Sequence, residues 1–206
     1  MYKLFASPAT ASQAVHWMLI ELGVAFEIEL LDFDRGEQKS PAYMRINPSG
    51  VVPTLIVDGR PVTETGAILM LLAERHPEFA FAPRLGTSER AEWLQYMVWL
   101  ANGPMATFRL WFYAADLPGA EREAIRERIE GYWDQVDRRL AGRTFVIGTH
   151  MTTVDFQLTM LMRWSRKMPK PATHWPNISS YLQAMRARPG LRAVHAREGV
   201  VDWIND

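Results

Sequence analysis

The residues whose types suit binding chemistry fall at two neighbouring points of the chain. Val52-Pro53 belongs to an apolar run that ends in Asp58-Gly59, which predicts a strand entering a tight hairpin. Proline lacks an N–H and is tolerated only at the first residue of a strand or on an edge strand, so an exposed backbone edge is expected here. Glu64-Thr65 then opens an apolar helical run, and the free N–H groups of a helix start bind anions. Together these features predict a peptide-binding edge beside an anion site.

The order of these residues resembles a known family. Asn47-Pro48-Ser49-Gly50-Val51-Val52-Pro53-Thr54-Leu55, followed by a short hairpin and Glu64-Thr65, is similar to the glutathione-binding half of cytosolic glutathione S-transferases. The resemblance implies a cis bond before Pro53 and binding of the cysteinyl unit of glutathione by the backbone of Val52. It also implies that Thr65 binds the γ-glutamyl carboxylate, that Glu64 faces the ligand's ammonium group, and that the protein is a homodimer.

If glutathione is the ligand, its thiol must ionise, and the loop before the first predicted helix holds the candidate groups. A thiol of pKa ~8.5 is only about 3% ionised at pH 7, and lowering this pKa by two units requires ~2.7 kcal/mol. One hydrogen bond from a hydroxyl to an anion supplies roughly 1.5–3 kcal/mol. A single hydroxyl is therefore sufficient, and the candidates are Ser7, Thr10 and Ser12.

Thr10 and Ser12 are the leading candidates. Thr10 lies two residues after a proline, where insect-type serine-dependent transferases carry their hydroxyl in a Pro-Gly-Ser context; Ala9 replaces that glycine here. Bacterial transferases of the beta type place a cysteine one position later, where this chain has Ala11, and the serine that follows matches Ser12. Thr10 also has a structural interpretation, because Thr10-x-x-Gln13 is the pattern of a capping box.

The same resemblance assigns the remaining contacts. Gln38 matches the position at which related enzymes hold the glycyl carboxylate, and Lys39 is an equal alternative. One predicted helix is unusually aromatic; aromatic residues at this spacing are typical of a core, but the corresponding helix of the family faces the glutathione sulfur. We therefore expect a pocket for an apolar electrophile. Asn102 stands near a histidine position of beta-type enzymes. The predicted pocket residues are Met105, Phe108, Trp111, Phe112 and Trp164.

The composition argues against several other kinds of site. The 206 residues are 48% hydrophobic, which suffices for one large or two small domains. With 23 basic and 23 acidic residues the net charge is zero, so neither a nucleic acid nor a membrane partner is indicated. The chain has no cysteine and no His-x-x-x-His pair, so we expect no metal. The chain has no charged leader followed by an apolar core and no apolar run of ~18 residues, so we expect a cytoplasmic protein.

The elements before and around the glutathione motif predict an α/β domain. A strand at residues 2–6, a helix ending at Gly23 and an alternating strand at 26–30 form a crossover, which implies parallel strands. Ser40 is expected to cap a short helix that has proline at its first position. With the hairpin and a helix from Glu64 to about Arg75, this order fits a thioredoxin-like N-terminal domain over residues 1–80.

An aperiodic segment with two prolines, residues 76–86, predicts a linker. The chain beyond it has helical periodicity throughout, so we expect an all-α helical C-terminal domain over residues 87–206. Thr152-Thr153-Val154-Asp155 has the pattern of a capping box with aspartate as its acidic member, and it resembles the helix-start signature of the family's second domain. A structural role is expected for Asp155. Helices are predicted at 88–101, 105–115, 120–140, 153–164 and around 178–185.

The sequence thus predicts a two-domain, homodimeric glutathione transferase with glutathione as co-substrate. The thiolate, held by Thr10 or Ser12, would attack a small apolar electrophile. One alternative is a glutathione-dependent isomerase or ring-opening enzyme, which would need polar or basic groups for a carboxylated substrate. The other is a non-catalytic member that binds glutathione or a partner protein. Ala9 in place of the family's glycine and Thr10 in place of its serine favour this alternative.

Overall fold

A computed structural model of the chain describes residues 1–113 and 117–204. Contacts between residues group the chain into two compact units. The first unit contains Met1–Phe79 and the C-terminal stretch that starts at Ala187, and the second contains Ala80–Arg186. The sequence-based ranges of 1–80 and 87–206 place the C-terminal stretch with the helical domain, whereas its contacts place it with the first unit.

The first unit is built on a mixed four-stranded sheet. Its strands are β1 (Tyr2–Ala6), β2 (Phe26–Leu30), β3 (Thr54–Val57) and β4 (Arg60–Thr63), in the spatial order β2-β1-β3-β4. β1 and β2 are parallel, which confirms the predicted crossover, and β3 is antiparallel to both β1 and β4. Pro61 lies on the edge strand β4, where a missing N–H is tolerated.

Three helices of this unit follow the predicted order: α1 (Ser12–Glu21), α2 (Pro41–Met44) and α3 (Thr65–Arg75). Ser40 caps α2 as predicted, because its hydroxyl accepts the Tyr43 N–H at 3.3 Å. The apolar faces of α1 and α3 and the inner face of the sheet are fully buried, and each such side chain contributes about 1.5–3 kcal/mol. These residues include Leu4, Val15, Met18, Leu55, Ile68 and Leu72.

The second unit consists of helices around a buried central one. The helices are α4 (Ser88–Leu100), α5 (Ala106–Tyr113), α6 (Gly119–Leu140), α7 (Thr153–Trp164) and α8 (Pro176–Ala187). Every residue of α7 except the last is buried, so α7 forms the core of the unit. This arrangement confirms the predicted all-α architecture. The last two residues of the predicted helix 105–115 lie outside the described residues.

Two details of the second unit concern how its helices begin. A π-helical turn, Ala101–Met105, joins α4 to α5 and contains Pro104. At the start of α7, both halves of a capping box are present, and Asp155 accepts the Thr152 N–H at 2.8 Å. The structural role predicted for Asp155 is therefore confirmed.

The chain ends in a helix that the sequence analysis did not predict, α9 (Pro189–Glu198). It belongs to the first unit and packs on α1. Arg188 pairs with Glu21 at 3.0 Å, and a Cβ on Gly190 would lie 2.5 Å from a Glu21 carboxylate oxygen. Glycine at position 190 thus permits the close approach of α9 to α1.

Across residues 1–113 and 117–204, none of the helices combines the length and apolar character that crossing a membrane requires. Within the same ranges, no three His, Asp or Glu side chains lie together as a metal site would need.

Candidate functional site

The segments that carry the predicted glutathione-binding residues lie at one end of the sheet. The strand register places Phe5 of β1 beside Glu29 of β2 and Thr54 of β3, and Thr54 beside Thr63 of β4. Strands β1, β2 and β4 run towards this row, while β3 starts from it. The segments that meet there are therefore 7–11 after β1, 31–39 after β2, 52–53 before β3 and 64–65 after β4.

The Val52–Pro53 bond is cis, as the family resemblance implied. Val52 is buried, yet neither its N–H nor its C=O forms a hydrogen bond within residues 1–113 and 117–204. Main-chain polar groups in a buried setting nearly always have partners. The backbone of Val52 is thus available to an extended peptide, which could pair with both groups.

A small hydrogen-bond network holds the Val52–Pro53 peptide bond in place. The Asn47 side-chain amide donates to the Val51 carbonyl at 2.8 Å and to the Thr54 hydroxyl at 3.0 Å. The Tyr43 hydroxyl donates to the same Val51 carbonyl at 2.7 Å and lies 2.8 Å from the Thr54 hydroxyl. Burial raises the pKa of Tyr43, so the phenol stays a donor. Both sides of the Val52–Pro53 bond are therefore anchored by side chains to which the sequence analysis gave no site role.

The start of α3 has two unusual features. Glu64 has a φ of 69° and a ψ of 114°, a conformation that costs a non-glycine residue about 1–3 kcal/mol. Thr65, the first residue of the helix, is buried, and its hydroxyl has no hydrogen-bond partner among the described residues. The N–H groups of the first turn likewise lack acceptors within the helix. Unpartnered donors at a helix start are what an anion site requires.

Gln38 and Lys39 contact the same motif from the loop after β2. The Lys39 ammonium donates to the Ser49 carbonyl at 3.1 Å, and the Gln38 side-chain oxygen is buried without a partner among the described residues. Gly50 has a φ of 58°, and a Cβ there would lie 2.7 Å from the Lys39 nitrogen and 2.9 Å from the Gln38 carbonyl. Glycine is required at this position both for its conformation and for the close packing of the two loops.

The three candidate hydroxyl residues form one cluster around the Ser7 carbonyl. This carbonyl accepts from the Thr10 hydroxyl at 2.7 Å and from the Ser12 hydroxyl at 3.0 Å, and the two hydroxyls are 2.9 Å apart. Ser12 also accepts the Ser7 N–H at 3.1 Å and is fully buried, whereas Thr10 is half-buried. The Ser7 side chain itself is not a partner in these bonds. Ser12 therefore holds the loop together, and Thr10 lies nearer its surface.

Ala9 occupies a conformation suited to glycine. Its φ is 62°, and the Thr10 N–H reaches back to the Ser7 carbonyl at 3.4 Å. Proline at the second position and a positive φ at the third are features of a type II turn, whose third residue is normally glycine. An alanine in this region costs about 1–2 kcal/mol. The turn is thus kept in spite of an unfavourable residue.

The capping box predicted from Thr10-x-x-Gln13 is wrong. The Thr10 hydroxyl accepts the Ser12 N–H at 3.4 Å and donates to the Ser7 carbonyl, but the Gln13 side chain does not reach back to the Thr10 N–H as a capping box requires. The Gln13 amide turns away from the loop and donates to the Glu198 carboxylate at 3.3 Å. Glutamine's long side chain reaches this buried acceptor, which is stronger than a backbone group because it is charged.

Glu198 is a further site-associated residue that the sequence analysis missed. Its carboxylate also accepts the Ala9 N–H at 3.0 Å and pairs with the His16 Nδ1 at 2.9 Å. Two signals mark the helix that carries it, namely Pro189 at its first position and Gly199 directly after its last residue. The sequence analysis predicted no helix beyond the one around 178–185, and so it missed α9.

The aromatic residues predicted for the electrophile pocket are split between core and surface. Phe108 is fully buried, with ring centroids of Phe112, Trp133 and Trp164 within 6.0 Å, so Phe108 is a core residue rather than a pocket wall. Phe112 is about half exposed and meets the partly buried Trp164 edge-on at 5.4 Å.

Met105 and Trp111 are half-buried, and each has a polar neighbour. The Met105 sulfur accepts from the Gln157 amide at 3.6 Å, and the Arg122 guanidinium lies 4.7 Å from the Trp111 ring centroid. Asn102 instead lines an open groove of about 640 Å³ on the α4 and α6 side of the unit, together with Trp99 and Tyr132.

Comparison with known proteins gives consistent matches along the chain. The family model described as "Glutathione S-transferase, N-terminal domain" matches residues 1–74, and that described as "Glutathione S-transferase, C-terminal domain" matches residues 105–198. The chain is 28% identical to the Glutathione S-transferase GST-4.5 of Xanthomonas campestris and to the Glutathione S-transferase GstA of Escherichia coli O157:H7, in each case over 96% of this chain and 99% of the relative.

A solved structure of a sphingomonad glutathione S-transferase, complexed with glutathione, has the same fold. It superimposes with a TM-score of 0.88 at 29% identity, over 97% of this chain and 100% of that one.

Proposed function

Because this chain belongs to the glutathione S-transferase family, we propose that it is a glutathione transferase that ionises the thiol of bound glutathione and adds it to apolar electrophiles. The observation that carries the proposal is the row of unused polar groups at one end of the sheet. The main chain of Val52, the hydroxyl of Thr65 and the side-chain oxygen of Gln38 all lack partners among the described residues.

Glutathione fits this row in one orientation. Its cysteinyl main chain pairs with the N–H and C=O of Val52, next to Pro53. Its γ-glutamyl carboxylate accepts from the Thr65 N–H and hydroxyl, and Glu64 accepts from its ammonium group. Its glycyl carboxylate lies near Lys39, with Gln38 as the neutral alternative. Hydrogen bonds to a charged group contribute about 1.5–3 kcal/mol each, and the carboxylates and the ammonium group of glutathione can form several of them here.

Thr10 is the group proposed to stabilise the thiolate. The Ser12 hydroxyl already donates to the Ser7 carbonyl and accepts the Ser7 N–H, so its proton and one lone pair are used within the loop. The Thr10 proton can turn from the Ser7 carbonyl to a sulfur anion without leaving that carbonyl unpaired. Thr10 is also the more exposed of the two. Ser12 acts in this proposal by orienting Thr10.

The chemistry needs only a modest shift of the thiol pKa. The hydroxyl bond, at roughly 1.5–3 kcal/mol, lowers the thiol pKa by about one to two units, and the N-terminal end of α1 adds a favourable dipole. The thiol proton passes to solvent. The thiolate then forms a carbon–sulfur bond with the electrophile, and the displaced group leaves with the bonding electron pair.

The electrophile is proposed to bind against the exposed aromatic surface of the helical unit. Phe112 and Trp164 offer apolar ring faces, and the side chains of Met105 and Trp111 are partly exposed. Such a surface favours an aryl or alkyl substrate without charge.

We also propose a homodimer, as in the family resemblance. Leu94 and Val98, one turn apart on α4, are exposed, which supports a covered face in the assembly. Light scattering that returns the mass of one chain would contradict this part of the proposal.

The test is a pH titration of thiolate absorbance for glutathione bound to the wild type and to Thr10→Ala, Thr10→Ser and Ser12→Ala variants. The thiol of glutathione bound to the wild type should ionise well below pH 8. Thr10→Ala should raise the bound thiol's pKa by about one to two units, and Thr10→Ser should not. Ser12→Ala should reduce stability by about 1 kcal/mol with a smaller effect on the thiol.

Turnover of an aryl halide then distinguishes a transferase from a non-catalytic binding protein and from an isomerase. Tight glutathione binding with an ordinary thiol pKa and no turnover would favour a non-catalytic binding protein. Isomerisation of a carboxylated alkene without turnover of the aryl halide would favour the isomerase.

A further inference from the structure

The carboxylate of Glu198 joins the end of the chain to the loop that carries Thr10. Its side chain is fully buried, and it has three partners on that loop and on α1. One oxygen accepts the Ala9 N–H at 3.0 Å and the Gln13 amide at 3.3 Å, and the other pairs with the His16 Nδ1 at 2.9 Å. The Ala9 contact is the one that matters for the site, because Ala9 directly precedes Thr10.

Ala9 needs such a contact because its conformation is unfavourable. An L-residue with a φ of 62° is less stable than the same residue at negative φ, and glycine is the residue that escapes this cost. The backbone angles of Ala9 set the direction in which the next residue, Thr10, leaves the turn. A loop that relaxed at Ala9 would therefore carry the Thr10 hydroxyl away from its place.

The helix that carries Glu198, α9, is also fixed to α1 at its opposite end. α9 is anchored to α1 through the Arg188–Glu21 ion pair at 3.0 Å and through the close packing of Gly190 on Glu21. Both ends of α9 are thus fixed to α1, and the position of Glu198 follows from a rigid helix pair rather than from a mobile tail.

We propose that Glu198 is a positioning residue for thiol activation: it holds Ala9 in its left-handed conformation and thereby places the Thr10 hydroxyl beside the glutathione sulfur. The proposal rests on the transferase function proposed above. It couples two features of this chain, an alanine at a glycine position and a buried acceptor nearly two hundred residues away in sequence.

The experiment compares wild type, Glu198→Gln, and Glu198→Gln combined with Ala9→Gly. Glutamine keeps the shape of the side chain but replaces one acceptor oxygen by a donor. We expect Glu198→Gln to raise the pKa of the bound thiol by about one unit, which is a tenfold change in its ionisation constant and a roughly three- to eightfold loss of thiolate at pH 7. The dissociation constant of glutathione should change less than about threefold, because Val52 and Thr65 are on other segments.

Adding Ala9→Gly should restore the thiol pKa, because glycine adopts a positive φ without help. Ala11→Gly is the matched control, since Ala11 has a φ of −58° and gains nothing from glycine. Rescue by Ala9→Gly and not by Ala11→Gly is the signature of positioning that a general loss of stability would not produce.

Three results would overturn the inference. One is a Glu198→Gln thiol pKa equal to that of the wild type, and another is a lower one, as expected if Glu198 acted only by its negative charge. The third is a raised thiol pKa that both glycine variants leave unchanged. If instead the wild type itself leaves the thiol pKa at its free value, the transferase proposal fails first.

A measurement on the wild type covers the case in which Glu198→Gln does not fold. The Ala9 amide should exchange its proton with solvent far more slowly than a free peptide, because its acceptor is buried. Exchange at the rate of an unstructured peptide would contradict the proposal.

Discussion

Two helix starts in this chain have nearly the same sequence pattern but different structures. α7 begins with Thr152-x-x-Asp155 and α1 with Thr10-x-x-Gln13. At α7 the acidic side chain turns back and accepts the Thr152 N–H at 2.8 Å. At α1 the Gln13 side chain leaves its own helix for Glu198, and the Thr10 hydroxyl makes one contact of a cap by accepting the Ser12 N–H at 3.4 Å.

The difference lies in what surrounds each start. Asp155 is fully buried and also accepts the Val146 N–H at 3.3 Å and the Tyr181 hydroxyl at 3.0 Å, so it joins three segments of one core. α3 starts at the end of the sheet, and the Thr65 hydroxyl at its first position has no partner among the described residues. A helix start whose polar groups are satisfied stabilises the fold, and one whose groups are unused is suited to a ligand.

The largest expected effect is on stability, from removing the Asp155 side chain at the start of α7. Asp155→Ala should reduce the free energy of unfolding by about 3 kcal/mol at pH 5, because four buried donors lose their acceptor. The bound glutathione thiol should be unaffected. Urea unfolding measures the loss, and Gln13→Ala, at the equivalent position of α1, should cost less than half as much. Equal losses at the two positions would break the comparison.

The same carboxylate predicts a pH dependence. Burial raises the pKa of Asp155 from its usual value to about 6. A group whose folded-state pKa is raised stabilises most below its unfolded pKa of about 4, and this stability is lost as pH rises through 6.

Unfolding free energies of the wild type should thus fall, relative to those of Asp155→Asn, by up to roughly 3 kcal/mol between pH 4 and pH 7. Parallel curves for the two proteins would show that Asp155 ionises normally.

Thr65 and Thr153 allow the sharpest comparison, because both are buried threonines at the first position of a helix. The Thr65 hydroxyl has no partner among the described residues, whereas the Thr153 hydroxyl accepts the Trp93 indole N–H at 2.7 Å. Thr65→Val should weaken glutathione binding about tenfold or more and leave stability unchanged or slightly higher.

The matched Thr153→Val should reduce stability by about 1–2 kcal/mol and leave glutathione binding unchanged. Calorimetric titration and urea unfolding of both variants distinguish the two roles. A Thr65→Val protein that binds as well as the wild type would remove Thr65 from the site.

The smallest effect is expected from Ala9→Gly in the otherwise unchanged chain. Relief of the positive φ should stabilise the protein by about 1 kcal/mol, net of glycine's greater entropy in the unfolded chain. Ala11→Gly should destabilise by a similar amount, because Ala11 has helical angles. Thermal unfolding of the pair gives the difference, and shifts of the same sign would contradict the strain at Ala9.

Elements with strong local signals were predictable from the sequence. The crossover of β1, α1 and β2 was recognised because apolar spacing distinguishes strand from helix, and the Ser40 cap because its hydroxyl acts within its own turn. Phe108 was misassigned because aromatic spacing is the same for a core residue and a pocket wall. Only packing against Trp133 and Trp164 reveals which one it is.

The sequence by itself determined the two-part architecture, the motif from Asn47 to Thr65 and the capping box of α7, because each depends on residues close together in the chain. Only the tertiary structure decided the partners of the loop that carries Thr10. Gln13, by its local pattern, would have capped α1, but a buried carboxylate 185 positions later is the stronger acceptor. Nothing local to Gln13 or to Glu198 records that contact, because it exists only once α9 has packed on α1.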